Sequence, residues 1–198
     1  MEGEPNQGRM RDVSGRMKEK AGWFQGNNPV CAGGGNLSWW AFAMTEIDYQ
    51  RPPPGLFVYR TRAHFYEIDA LWVLHHSRYL QFVERAQQAL FDELMGTTEF
   101  SPEKYPDLYV VVRRVEIDYL TPLRGVTPFM IVLRGVKLRE AGLTVGFEFR
   151  SEDGKELHAK GERTVCKLSL GTHEPAGWSA EFRARYEPWV AAGEKLGE

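Results

Sequence analysis

Asp69, His75, His76, Ser77 and Glu84 are the residue types that acyl chemistry uses, and they fall within one short stretch, Phe65 to Glu84. A carboxylate attacks an acyl carbon or takes a proton from the water that does. The free amides at a helix start hold the oxyanion that then develops. Here a carboxylate is followed by the short apolar link Leu71–Leu74, and then by two histidines and a serine that open an amphipathic helix. Each residue has a plainer use as well. Asp69 is suited to capping the turn that follows it, and Ser77 is the simplest N-cap for the helix. Adjacent residues on a helix point about 100° apart, so one of His75 and His76 faces a site. Ser77 lies in no Gly-x-Ser-x-Gly elbow, which argues against a serine hydrolase. No further His, Cys or carboxylate stands at ligand spacing, so no metal site is expected.

The elements that must position these groups follow from local pattern. Leu56–Phe65 is rich in aromatic and β-branched residues and reads as a strand. From about Ser77 to Met95, the residues Tyr79, Phe82, Val83, Ala86, Leu90 and Leu94 share one helical face. Gly96 is the expected C-cap. Thr97–Asp107, with Pro102 and Pro106, reads as a loop. Four strands follow, at Leu108–Leu120, Phe129–Arg139, Leu143–Arg150 and Glu156–Leu170, and their short turns predict an antiparallel meander. Ser179–Tyr186 is a short helix in a polar, aromatic tail. The order β–α–β–β–β–β gives an α+β fold, with one long helix covering one face of a five-stranded antiparallel sheet. The other face and the edges are left open, and pairing with a second copy closes an edge.

Composition sets the outer bounds. The 198 residues form one sizeable domain; 42% are hydrophobic, 26% are charged, and the formal net charge is -2. That balance gives no bulk attraction to nucleic acid or to a membrane surface. Cys31 and Cys166 make neither a disulfide framework nor a zinc pattern, and no run approaches the roughly 20 apolar residues of a membrane span. A reducing, cytoplasmic setting is expected. Residues 1–54 read as an N-terminal extension, mostly disordered and closed by the stiff run Arg51–Gly55. Its aromatics, Trp23, Phe24, Trp39, Trp40 and Phe42, either dock on the folded body or belong to sequence preceding a start at Met44. Residues 55–172 are the domain and 173–198 the tail.

The run Asp69-Ala70-Leu71-Trp72-Val73-Leu74-His75-His76-Ser77-Arg78-Tyr79-Leu80, with Glu84 beyond it, resembles the signature of the 4-hydroxybenzoyl-CoA thioesterase family. That family includes acyl-CoA thioesterases associated with the Tol-Pal envelope system. The family's pattern is an Asp, a Gly-Val-Val run, one or two aromatic or His residues, Asn-Tyr-Leu and a Glu. The likeness spans about Leu56–Leu170. It implies the hot-dog fold, in which a sheet wraps one long helix, and hydrolysis of an acyl-CoA or acyl-carrier-protein thioester. It makes Asp69 the nucleophile or general base and His76 the residue whose backbone amide polarises the carbonyl, with Ser77 beside it. Glu84 matches an acidic position that faces the site in related thioesterases.

Trp72, Leu74 and Tyr79 are the implied pocket walls. Trp72 stands where the family has Gly, Arg78 where it has Asn, and Gln87 where it often has Arg. An indole in place of that Gly reshapes the acyl pocket. Arg113 and Arg114, with Arg124 and Arg134, are candidates for the coenzyme A phosphates; strand alternation sends Arg113 and Arg114 to opposite faces. No cofactor is implied beyond coenzyme A as part of the substrate. The expected assembly is a homodimer or homotetramer. A dehydratase or hydratase on acyl thioesters, and a non-catalytic acyl-binding protein, are the competing readings.

Overall fold

The computed structural model describes residues 47–196. The readings placed on the extension before Ile47 lie outside the described residues. Strand β1 spans Leu56–Arg62, and a single 3-10 turn, Phe65–Glu67, follows it. Helix α1 runs His76–Met95 and ends on Gly96, whose φ of 68° is the left-handed cap expected there. Strands β2 (Val110–Tyr119), β3 (Pro128–Leu138), β4 (Gly142–Ser151) and β5 (Leu157–Lys167) complete one sheet, and helix α2 (Ala180–Lys195) closes the described chain.

The expected fold class holds, with two corrections. The sheet order is β1-β3-β4-β5-β2, all antiparallel, so β2 does not neighbour β3 as a simple meander requires. After β2 the chain instead crosses to the far side of the sheet through residues 120–127. That crossover is needed because β3 must pair with β1 to continue the sheet across the helix. The second correction concerns the tail. Its helix extends to Lys195 and is buried, with Phe182, Tyr186, Trp189 and Val190 in the same core cluster as α1.

Burial follows the period of each element. Tyr79, Phe82, Val83, Ala86 and Leu90 of α1 are buried, joined by Phe91 and Met95. They meet Phe129, Ile131 and Leu133 of β3 and Val145, Phe147 and Phe149 of β4, the alternate residues of each strand. Fully burying each such side chain is worth about 1.5–3 kcal/mol, so this layer is the main driving force for the fold. Helix α2 meets the sheet beside the start of β1. A Cβ on Gly135 would lie 2.5 Å from the Val190 Cα, and one on Gly193 would lie 2.5 Å from the Gly135 carbonyl oxygen. Two glycines therefore let helix and strand backbones touch.

The outer face is less open than the sequence implies. Ile47, Tyr49 and Leu196 pack on Leu56, Met130 and Val132. Beside them the Arg150–Glu148 pair is buried at 2.5 Å, and the Tyr49 ring lies 5.6 Å from the Arg150 guanidinium.

A polar hub fixes the N-terminus of α2. Asp107 accepts the Ser179 amide at 2.9 Å and its hydroxyl at 2.5 Å, and it pairs with Lys167 at 2.9 Å. Ser179 in turn caps the helix by accepting the Phe182 amide.

Candidate active site

Asp69 opens a tight loop between β1 and α1. Ile68 and Leu74 form an isolated antiparallel bridge at its base, the Asp69 amide donates to the Val73 carbonyl at 2.9 Å, and the Trp72 amide donates to the Asp69 carbonyl at 3.0 Å. The 120–127 crossover holds the loop from behind. Leu74 donates its amide to Leu123, Gly125 donates its own to Trp72, and Val73 bridges Arg124. The topology that breaks the simple meander is thus what supports the loop.

The Asp69 carboxylate does double duty. Its Oδ1 accepts the amides of Leu71 at 2.8 Å and Val73 at 3.4 Å, which is the turn-capping role. Among the described residues Oδ2 takes no hydrogen bond, and the residue is half-buried.

The helix start differs by one position from the expectation. His75, not Ser77, is the N-cap: its Nδ1 lies 3.3 Å from the Ser77 amide and 2.9 Å from the Ser77 hydroxyl. The mistake has a simple source, because an imidazole nitrogen can accept from the first turn much as a hydroxyl does. The His76 amide donates to no acceptor among the described residues, while its carbonyl accepts the Tyr119 hydroxyl at 3.2 Å. One unengaged helix-start N–H therefore stands at the end of the Asp69 loop, and the Ser77 amide beside it is only weakly engaged.

Trp72 has φ 61°, in the left-handed region where a bulky residue is an outlier. Its indole is half-exposed, meets the Phe65 ring edge-on at 6.3 Å and lies over Gly125. The backbone here has the shape that the family's Gly would adopt without strain. Left-handed backbone costs a non-glycine residue about 1–2 kcal/mol. Trp72→Gly is therefore expected to be more stable than Trp72→Ala by about 1 kcal/mol, reversing the usual order, as urea midpoints would show.

Leu74 and Tyr79 lie beneath the loop rather than on its surface. Both are buried in the core, Tyr79 against Tyr119 and Phe149, and burial pushes the Tyr79 phenol up to about 12. They support the loop and the helix start from beneath.

Glu84 lies about two turns along α1 from His76, roughly 12 Å at 1.5 Å per residue. Its carboxylate is mostly exposed and pairs at 3.1 Å with Arg163 of β5, which also donates to Gln87. Burial lowers the Arg163 pKa, while Glu84 raises it. The guanidinium that the family often carries at position 87 is supplied here from the sheet.

Arg113 and Arg114 do not face opposite ways. A bulge in β2 between Val112 and Arg114 takes Arg113 out of register, and both side chains line an open cleft of about 310 Å³. A second bulge, in β3 between Gly135 and Lys137, brings Lys137 to the same cleft, and Arg139 joins it. Glu116 and Glu162 are the acids present, with Glu116 paired to Arg114. Arg134 is buried and donates to the Gly193 carbonyl at 3.0 Å, so it serves the packing of α2. Among the described residues no cluster of His, Cys, Asp and Glu is suited to hold a metal ion, and no helix is long and apolar enough to cross a membrane.

Known proteins share this fold. Residues 63–186 match the family model for the Thioesterase-like superfamily. The chain is 27% identical over 130 residues to a Haemophilus influenzae protein named acyl-CoA thioesterase YbgC, covering 66% of this chain and 93% of that one. Among solved structures, SAV2348 from Staphylococcus aureus, in complex with CoA, superimposes with a TM-score of 0.63 at 15% identity, covering 70% of this chain and 86% of that one. Slr0204 from Synechocystis, a 1,4-dihydroxy-2-naphthoyl-CoA thioesterase, gives 0.58 at 13% identity, covering 69% and 96%. At such identities the structural likeness carries the fold alone, and that fold is the hot-dog fold. The family match covers more than half of the chain, so this protein belongs to the Thioesterase-like superfamily.

Proposed function

We propose that this protein hydrolyses an acyl-CoA or acyl-carrier-protein thioester, with Asp69 as the reacting carboxylate and the His76 amide as the oxyanion donor. The observation that carries this reading is that a carboxylate oxygen and a helix-start amide, both unengaged among the described residues, stand at the two ends of one braced loop. The thioester oxygen takes the His76 N–H. Asp69 either attacks the acyl carbon, expelling the thiolate and leaving an anhydride that water opens, or removes a proton from the water that attacks. Both routes give free acid and thiol. Glu84, paired with Arg163 about 12 Å along α1 from His76, serves the reaction from the other subunit of a dimer, where it faces the partner's reacting carboxylate.

The Arg113, Arg114, Lys137 and Arg139 cleft is a fitting seat for the phosphates of coenzyme A, since guanidinium groups bind phosphate through paired hydrogen bonds. It lies towards the end of the sheet away from the chain's own Asp69, so the partner of a dimer would present it to the other subunit's substrate. The β2 edge suits that pairing: it has ten residues, and Val110, Val111 and Val112 are exposed along it. A homodimer formed through β2 is the assembly we propose, with the cytoplasm as its setting. Replacing Arg113 and Arg114 together by Met should raise KM for acyl-CoA about tenfold, leave kcat within about twofold, and flatten the salt dependence of kcat/KM.

Thiol release measured across aromatic and aliphatic acyl-CoA substrates tests the activity. Hydrolysis frees coenzyme A, a dehydratase alters the acyl group with the thioester intact, and a binding protein does neither.

A further inference from the structure

We infer that Glu67 is the positioning residue of this site, acting with Arg85 to set Asp69 against the helix start; the inference rests on the reading of Asp69 above. Glu67 is 1% exposed, although it lies in a short surface turn. Its Oε2 accepts the His64 amide at 2.8 Å, and its Oε1 pairs with Arg85 of α1 at 3.3 Å. Its backbone carbonyl accepts the His75 amide at 2.9 Å. With both carboxylate oxygens engaged and no exposure, Glu67 does not touch substrate.

Its position in the network is what matters. Asp69 lies two residues beyond Glu67, across the bridge residue Ile68. His76 lies one residue beyond His75, which Glu67 holds by a hydrogen bond. One residue is therefore joined to both: its backbone carbonyl holds His75, and its buried side chain, bonded to the His64 amide and Arg85, fixes where that carbonyl and the entry to Asp69 stand. Arg85 fixes that side chain against the third turn of α1, with its guanidinium 4.8 Å from the Phe82 ring centroid. Without the pair, the entry to the Asp69 loop and the helix N-cap lose their common anchor. A misplacement of about 1 Å at a reacting group lowers turnover by about a hundredfold, so an effect on kcat is expected with little on binding.

The experiment compares Glu67→Gln, Arg85→Met and Arg85→Lys with the parent and with Asp69→Asn, using thiol release well below each thermal midpoint. Glu67→Gln should lose about 10- to 100-fold in kcat with KM within about threefold. Arg85→Met should lose about fivefold, Arg85→Lys should recover most of it, and the Glu67→Gln/Arg85→Met double variant should be no worse than Glu67→Gln alone. Phe182→Leu, which loosens the core under α2 away from the loop and the cleft, serves as the stability control and should keep the parent kcat.

An active Asp69→Asn enzyme would overturn the site reading and the positioning role with it. An inactive Asp69→Asn beside a Glu67→Gln enzyme of parental kcat would overturn the positioning role alone. Should Glu67→Gln not fold, the half-exposed Arg85 carries the test: an unchanged kcat in Arg85→Met contradicts the inference, and a loss reversed by Arg85→Lys supports it.

Discussion

Asp69→Asn should lower kcat by about a thousandfold or more while leaving the thermal midpoint almost unchanged. The separation of the two effects follows from the two oxygens. An Asn side chain keeps an Oδ1 that still accepts the Leu71 amide, so the turn that shapes the loop survives. What it loses is the charged oxygen that has no other engagement, and with it the ability to attack an acyl carbon or take a proton. Asp69→Ala should differ in kind. It removes the acceptor for Leu71 and Val73 as well, at about 1 kcal/mol for a lost cap, and should lose stability together with activity. Thiol release and thermal melts on the same two variants would check this.

Gly135→Val should cost about 3 kcal/mol of stability with little effect on kcat, because the contact it breaks is remote from the Asp69 loop. The first side-chain atom would fall 2.5 Å from the Val190 Cα, and a backbone atom has no rotamer to escape into. Helix α2 must lift, exposing the stacked rings of Trp178, Phe182 and Tyr186. For a chain of this size a loss of about 3 kcal/mol lowers the midpoint by roughly 6–12 °C. Gly135→Ala should give the same direction at smaller size. A midpoint within about 2 °C of the parent for Gly135→Val would mean that α2 is not held by this contact.

Much of the fold was legible because it rests on period. The α1 face from Tyr79 to Leu90 and the alternation of Phe129, Ile131 and Leu133 are written in the sequence, and burial follows them. Helix α2 runs past the expected end at Tyr186 to Lys195, with Pro188 tolerated inside it beside buried Trp189 and Val190. The place of β2 was hidden for a different reason: the turn-like run from Thr121 to Gly125 has the residues of a hairpin but spans the sheet, and nothing local tells the two apart. Both bulges were also invisible, and with them the convergence of Arg113 and Arg114, since an extra residue in a strand leaves no compositional mark.

At the site, Asp69 stood out by type and spacing, and the family resemblance picked His76 from the His75–His76 pair. His75 as N-cap, the left-handed backbone of Trp72 and the buried Glu67 did not stand out. The first is a choice between two plausible caps, the second a property of backbone angles. The third looked like one more acid in a charged turn, and its Arg85 partner lies eighteen residues away.

A single-turnover experiment addresses the central claim most directly. With enzyme in excess over an acyl-CoA that it accepts, free thiol and free acid are counted in parent and Asp69→Asn protein. Thiol and acid should both appear, one of each per thioester consumed by the end of the reaction, in the parent and not in the variant. An intact thioester in the parent, or equal release by Asp69→Asn, would contradict it.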